Sequence, residues 1–192
     1  MKSMHDLLLH FAQDILYAEK AGVKAYAKVA KAVENADLKA ALQQHREQSQ
    51  AQVERLEHVF EALDKRPRSK TCAAMDGLIE EGQDAIEEAD KGPVLDAALI
   101  ACSQAVEHYE IARYGAMVAF AKQLGLDEAA GLLQQTLDEE KAMDQRLTDI
   151  AEKALNPAAA ASGEKDKDDG EEESEGDEAE ATKPKTKAKP KK

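Results

Sequence analysis

The sequence predicts an all-α protein, a four-helix bundle with a long crossover that contains an additional short helix. Three features carry this prediction: a scarcity of aromatic residues, a helical spacing of apolar residues, and an internal repeat. Aromatic side chains make up 4% of the 192 residues, and Trp is absent. A β-sandwich or barrel would need strands rich in aromatic and β-branched residues, so the composition disfavours both classes.

Four long segments have apolar residues at alternating steps of three and four, which is typical of helices with one buried stripe. Ser3 is a predicted cap for the first helix, and the third begins at Gly92-Pro93, a favoured helix start. Gly125 ends the third helix, and Asp127 caps the fourth. A shorter helical pattern at 72–89 lies between the second and third. The four long helices are predicted at residues 4–33, 37–64, 93–124 and 127–150.

The chain also carries an internal repeat at a shift of 91 residues. The register holds across both helices of each pair without a gap. Matched positions include Glu19 with Glu110, Leu42 with Leu133, Gln48 with Glu139, and Arg55 with Arg146. The repeat therefore predicts two helical hairpins joined by a crossover, a topology in which the second and third helices of the bundle run parallel.

The composition changes sharply at Asn156. Residues 164–180 contain eleven acidic and two basic residues, and residues 181–192 contain six lysines and two prolines. A segment with so few large apolar residues cannot bury enough surface to offset its ordering entropy. We therefore expect a four-helix domain at 1–155 and a disordered tail at 156–192.

The net charge and the cysteine spacing limit the classes of function that fit this sequence. The formal charge is −13 for the whole chain, and residues 1–155 hold 28 acidic against 18 basic residues, so the protein should repel nucleic acid and anionic membranes. Cys72 and Cys102 stand in no metal-binding spacing, and polar residues interrupt every apolar stretch near the N-terminus. We expect a soluble, cytoplasmic protein that does not enter a membrane.

The predicted apolar stripes are interrupted near the middle of each long helix by residue types that bind metals. In a bundle of matched helices these interruptions meet in one layer, where buried carboxylates repel each other unless a cation lies among them. Carboxylate and imidazole ligands favour iron or manganese over structural zinc. The candidate metal ligands are Glu19, His45, Gln48, Glu107, Glu110 and Glu139.

The spacing within this set favours two ions. His45 lies three residues before Gln48, and Glu107 lies three residues before Glu110. On parallel helices this offset places His45 and Glu107 about one turn, roughly 4.5 Å, to the same side of the central layer. That distance leaves room for a second ion.

Four sequence runs occur in the order found in a known family: Tyr17–Lys20, Met75–Glu81, Ala105–Glu110 and Leu137–Lys141. Together they resemble the YciE/YciF group of bacterial ferritin-like stress proteins. The resemblance covers essentially all of residues 1–155, and it implies a ferritin-like four-helix bundle.

The resemblance also implies a ligand set. Ferritin-like di-iron proteins carry Glu on the first and third helices and Glu-x-x-His on the second and fourth. The corresponding positions are Glu19, Gln48 with Ala51, Glu110, and Glu139 with Ala142. Both histidines are absent, so His45 and Glu107 are the candidates to replace them from the neighbouring turn. Such a site implies a small ferroxidase or peroxidase that reacts with dioxygen or hydrogen peroxide and protects the cell.

Two other functions also fit the sequence. One is a metal-free helical scaffold that forms a homodimer, with Leu78, Ile79 and Ile86 of the crossover helix covering an apolar face. The core carboxylates would then share protons, or reach solvent from the edges of the stripes. The other is association with DNA through the lysine-rich segment Lys183–Lys192, because basic side chains hold phosphate by counterion release.

Overall fold

The computed structural model describes residues 1–168, with side chains to residue 162. This described part consists of helices and their connections and contains no strand, so the predicted all-α class is confirmed. The elements in chain order are α1 (Met4–Ala32), α2 (Ala36–Ala62), α3 (Ala73–Glu88), α4 (Pro93–Gln123), α5 (Asp127–Ile150), a π-helical turn (Ala151–Leu155) and α6 (Asn156–Asp168).

Local capping explains where the first helices begin. Ser3 Oγ accepts a 3.0 Å hydrogen bond from the backbone N–H of Asp6, which fixes the start of α1 as predicted. Asn35 Oδ1 accepts a 2.9 Å hydrogen bond from the backbone N–H of Leu38 and starts α2 in the same way. Pro93 is the first residue of α4, where its missing N–H costs no helical hydrogen bond.

The four long helices begin and end within two residues of the predicted positions, and two differences at their ends have a clear physical reason. α2 ends at Ala62 rather than at residue 64, because Asp64 adopts a left-handed φ of 53° that a right-handed helix cannot continue. Asp127 is the first residue of α5 and not its cap; the cap position is Leu126, whose side chain makes no capping hydrogen bond. Gly125, with a φ of 69°, lets the chain turn sharply between α4 and α5.

The long helices form a four-helix bundle in which α1 packs on α2 and α4, and α5 packs on α2 and α4. Hydrogen bonds fix the directions of α1 and α4: Glu19 meets Tyr114, whereas Tyr26, seven residues later, meets Glu107. α1 and α4 are therefore antiparallel. Since α1 and α2 form a hairpin, α2 and α4 run parallel, as the internal repeat predicts.

The crossover between α2 and α4 contains α3, which packs against α1 and α4. Met75 and Gly82 are the buried residues of α3. The connection that leads into α3 is attached to α1 through a 2.9 Å hydrogen bond from the N–H of Lys70 to the carbonyl of Gln13. A second tie is the 2.7 Å hydrogen bond that the Tyr17 hydroxyl donates to Asp76. The additional short helix in the crossover is thus present, and it covers one side of the bundle.

The helical backbone continues past Leu155, the predicted end of the folded domain, and α6 packs against α4. Pro157 has no N–H to donate, and its ring crowds the carbonyl one turn earlier. A π-helical turn, which is usually found as a single turn within an α-helix, lies directly before it. Alanines 158–161 then favour helix over coil. The rest of the predicted tail, including Lys183–Lys192, lies outside the described residues. Across residues 1–168, every helix is too short or too polar to cross a membrane.

Candidate metal centre

A layer of buried polar side chains crosses the middle of the bundle. Each of the four bundle helices contributes at least one of them, and none is more than 1% exposed. Groups of this kind are rarely buried together in a helical core, because each loses its hydration. The layer consists of Glu19 on α1, His45 and Gln52 on α2, Glu107 and Glu110 on α4, and Glu140 on α5.

Four of these residues form a compact group. His45, Glu107, Glu110 and Glu140 each offer one nitrogen or oxygen atom, and these atoms all lie within 4.8 Å of one another. His45 Nε2 lies 3.2 Å from Glu107 Oε1 and 3.5 Å from Glu140 Oε2. One imidazole and three carboxylates thus converge on a single point in the core.

Tyrosine and glutamine side chains hold the carboxylates in place. The Tyr26 hydroxyl donates a 2.7 Å hydrogen bond to Glu107 Oε1, and its ring packs edge-on against His45 at a centroid distance of 4.8 Å. The Tyr114 hydroxyl donates a 2.5 Å hydrogen bond to Glu19 Oε1. The Gln52 amide donates to Glu140 Oε1. These donors therefore orient one oxygen in each of three carboxylates.

The second oxygen of each of these carboxylates has no hydrogen-bond partner. A buried acceptor without a partner costs free energy, and several acceptors facing each other add electrostatic repulsion. A cation bound among them would remove both penalties. The buried atoms without a partner are Glu19 Oε2, Glu107 Oε2, Glu110 Oε1, Glu140 Oε2, Gln52 Oε1, and both ring nitrogens of His45.

Burial and the crowding of carboxylates change the pKa values of the groups in the layer. Burial, reinforced by the neighbouring carboxylates, raises the pKa values of Glu110 and Glu140 well above the ordinary range. Burial also raises the pKa of Glu19 to about 7, although the Tyr114 hydrogen bond and His45 oppose the rise. For His45, burial lowers the pKa, but the Glu107 carboxylate outweighs this effect and the net shift is upward. Without a cation, the layer is therefore stabilised by binding protons.

Comparison with known proteins agrees with this fold. The model of a family described as a domain of unknown function (DUF892) matches residues 3–160 of the chain. The chain belongs to the DUF892 family. YciF from Escherichia coli strain K12 is a relative that is 45% identical over 160 residues, covering 83% of this chain and 96% of that protein.

Solved structures also resemble this DUF892 protein. The E. coli stress protein YciF superimposes with a TM-score of 0.78 at 45% identity, covering 81% of this chain and 99% of that one. YcfI from Rhodopseudomonas palustris gives a TM-score of 0.74 at 47% identity over 77% and 94% of the two chains. A dodecameric thioferritin from Bacteroides fragilis gives 0.59 at 17% identity over 86% and 90%. This last similarity shows that the fold is ferritin-like, and the predicted YciE/YciF resemblance is confirmed.

Four of the six candidate ligands from the sequence lie in the layer: Glu19, His45, Glu107 and Glu110. The other two do not. Gln48 is half-buried beside the layer, and Glu139 is 24% exposed and bound to Arg55, with two nitrogen–oxygen distances of 2.9 Å. Gln48 and Glu139 are equivalent positions of the 91-residue repeat, so the two halves of the repeat place this position outside the layer in the same way.

Sequence reasoning missed Glu140 as a ligand because it is the direct neighbour of Glu139. The signal that identifies it is the spacing of the buried residues of α5, which advance by four, three and four positions through Thr136, Glu140, Met143 and Leu147. Glu139 is rotated by about 100° from Glu140 around the helix axis, since a helix has 3.6 residues per turn.

A second polar network lies beside the layer, at the contact of α1, α3 and α4. The Tyr109 hydroxyl donates a 2.7 Å hydrogen bond to Asp14 and accepts one of 3.1 Å from Arg113. Its oxygen also lies 2.9 Å from the sulfur of Cys72, the residue that caps α3. This network satisfies its own polar atoms, so it explains the attachment of the crossover without a ligand.

Proposed function

We propose that this protein binds redox-active iron or manganese, two ions at full loading, in the buried carboxylate layer and reacts with dioxygen or peroxide. The strongest support is the set of unpaired donor atoms that converge from three helices at His45, Glu107, Glu110 and Glu140, beside the unpaired Oε2 of Glu19 on the fourth. Oxygen and imidazole donors in this arrangement suit iron and manganese.

The charge of the layer fits two divalent ions. Glu19, Glu107, Glu110 and Glu140 carry four negative charges when all are deprotonated, and His45 is a neutral ligand. Two divalent cations would neutralise this charge. Because Gln48 and Glu139 lie outside the group, the proposal assigns them no ligand role.

Hydrogen bonds from neighbouring residues orient the carboxylates and leave one oxygen of each free to bind metal. Tyr26 and Tyr114 fix one oxygen of Glu107 and Glu19 and leave the second oxygen free. Metal binding would release protons from Glu110 and Glu140, whose pKa values are raised by burial, so the affinity for metal should increase with pH. When bound, iron or manganese supplies one-electron redox chemistry toward oxygen species.

The surrounding core keeps water away from this reaction. Large apolar side chains lie one helical turn from the layer, among them Leu16 before Glu19 and Leu42 before His45, each 0% exposed. A dry site strengthens the interaction between carboxylates and a cation and limits the escape of reactive products. The similarity to a stress protein of E. coli supports a protective role for this chemistry.

Metal stoichiometry of the full-length protein tests the proposal. The protein is purified without chelator, stripped, and loaded anaerobically with ferrous iron or with Mn²⁺. We expect about two ions per chain, and their loss in the double variant Glu110→Gln/Glu140→Gln. The Glu139→Gln variant is the matched control, because it makes the same change one position away and should keep the metal. Well under one ion in the unmodified protein would contradict the proposal and favour the metal-free scaffold.

A further inference from the structure

An apolar cleft lies between α1, α3 and α4, next to the buried layer. Its volume is about 40 Å³, and its walls include Ala25 and Val29 of α1, Leu78 and Ile86 of α3, and Val106 of α4. A cavity needs about 10–15 Å³ of such space to hold one water molecule, so the cleft has room for a small molecule.

Two glycines create the space. Gly22 on α1 and Gly82 on α3 both border the cleft. A Cβ at position 22 would stand 3.6 Å from the Tyr26 ring, and one at position 82 would stand 3.8 Å from the Cβ of Cys102. Both distances are ordinary contacts, so a methyl group fits at either position and would occupy part of the cleft.

Water is a poor occupant because nearly all of the surface that the wall exposes is apolar, although Gln83 and Lys28 also border the cleft. Ser103 donates its hydroxyl to the carbonyl of Leu99 at 2.8 Å, and Tyr26 donates its hydroxyl to Glu107. Lys28 is exposed. An ordered water needs two to four polar partners, whereas apolar cavities stay dry and bind small apolar molecules such as xenon.

Tyr26 connects the cleft to the layer. Its ring forms part of the cleft wall, while its hydroxyl contacts Glu107 and its edge contacts His45. A molecule in the cleft is therefore separated from the candidate ligands by a single aromatic ring.

We infer that this cleft binds dioxygen and supplies it to the carboxylate layer past Tyr26. The inference rests on the proposed function and selects one of its two oxidants. Dioxygen is small and apolar and matches the cleft in both size and polarity. Hydrogen peroxide needs several hydrogen-bond partners, whereas the wall exposes almost no polar surface, so peroxide would reach the layer by another path.

Xenon binding to the metal-free, full-length protein is the first test, because xenon is a small apolar probe that requires no metal. We expect a saturable ¹²⁹Xe chemical-shift change that the Gly82→Ala variant weakens by about fivefold or more. Gly77→Ala is the matched control. Gly77 lies on the same helix with nothing near its Cβ, so both variants gain the same helix propensity and differ only at the cleft.

Reaction rates of the ferrous protein complete the test. We expect Gly82→Ala, and xenon added to the unmodified protein, to slow oxidation by dioxygen and to leave oxidation by hydrogen peroxide unchanged. The double variant Gly22→Ala/Gly82→Ala should slow the dioxygen reaction further. Equal effects on both oxidants, or no xenon binding that depends on Gly82, would overturn the inference. Absence of metal binding would instead overturn the proposed function, and the xenon titration would still decide what the cleft binds.

Discussion

Glu139 and Glu140 are consecutive residues of α5, yet their carboxylates lie in opposite environments. Glu140 is 0% exposed. Its Oε2 lies in the group of buried carboxylates and has no hydrogen-bond partner. Glu139 is partly exposed and forms a bidentate ion pair with Arg55. The same substitution at these two positions should therefore have opposite effects on the stability of the metal-free protein.

Glu140→Gln should stabilise the metal-free protein at about pH 8, because the neutral amide avoids the cost of either burying a charge beside Glu110, Glu19 and Glu107 or taking up a proton at this pH. Glu139→Gln should destabilise it, because an amide cannot accept both hydrogen bonds from Arg55. We expect shifts of about 2–4 °C in Tm, upward for the first variant and downward for the second, in thermal unfolding followed by circular dichroism. A lower Tm for Glu140→Gln without metal would contradict this account of the layer.

Stability should also depend on pH in a direction that the raised pKa values determine. Glu19 has a folded-state pKa of about 7 against an ordinary value of 4.5. Its protonated form stabilises the native state, so this contribution is complete below the ordinary pKa and is lost as the pH rises through about 7. A shift of this size corresponds to on the order of 3 kcal/mol. The raised pKa values of Glu110, Glu140 and His45 act in the same direction.

Urea unfolding of the metal-stripped protein at about pH 5.5 and about pH 8 measures this effect, and the higher pH should give the lower free energy of unfolding. The same comparison with saturating Mn²⁺ is the control. Bound metal requires deprotonated ligands, so it should reduce or reverse the loss. A metal-free protein equally stable at both pH values would show that the layer carries no repulsion.

Most of the fold was predictable because its signals are local. The cap at Ser3, the helix start at Pro93 and the spacing of apolar residues depend on a few neighbouring positions. The extension of the helix past Leu155 was missed because Pro157 normally ends a helix, whereas a π-helical turn here accommodates it. That turn packs against α4, a contact that no local pattern encodes.

On α5, the sequence predicted the position of the buried carboxylate only to within one residue. Glu139 and Glu140 are both acidic, so the residue type does not distinguish the buried position from the exposed one. The deciding interaction is Arg55 on α2, which binds Glu139 across the bundle, and such a partner becomes visible only when the helices are assembled. His45 and Glu107 were identified because each is a polar residue within an otherwise apolar stripe.

Asp96 should be important for the connection between α1 and α2. It is 2% exposed, and its two oxygens accept hydrogen bonds of 3.0 and 2.8 Å from the backbone N–H groups of Glu34 and Asn35. Asp96→Ala leaves both donors without this partner and should destabilise the protein by about 2–4 kcal/mol in urea unfolding. The exposed Asp90 provides the control, since Asp90→Ala should change stability by less than about 0.5 kcal/mol. Equal losses would show that the two hydrogen bonds contribute nothing.

The internal repeat provides a matched pair for the last prediction. Arg55 and Arg146 occupy equivalent positions, but Arg55 donates hydrogen bonds of 2.6 Å to Thr136 and 2.9 Å to both oxygens of Glu139. Arg146 donates one bond of 2.7 Å, to Gln44, at an exposed position.

Lysine keeps the charge at either position but cannot reproduce a planar bidentate contact. Arg55→Lys should therefore reduce the free energy of unfolding by about 1–2 kcal/mol, and Arg146→Lys by less than about 0.5 kcal/mol. Similar losses in the two variants would mean that charge alone, and not the bidentate geometry at Glu139, joins α2 to α5. A larger loss at Arg55 would establish that Glu139 is bound in this ion pair, which leaves Glu140 as the carboxylate that α5 contributes to the layer.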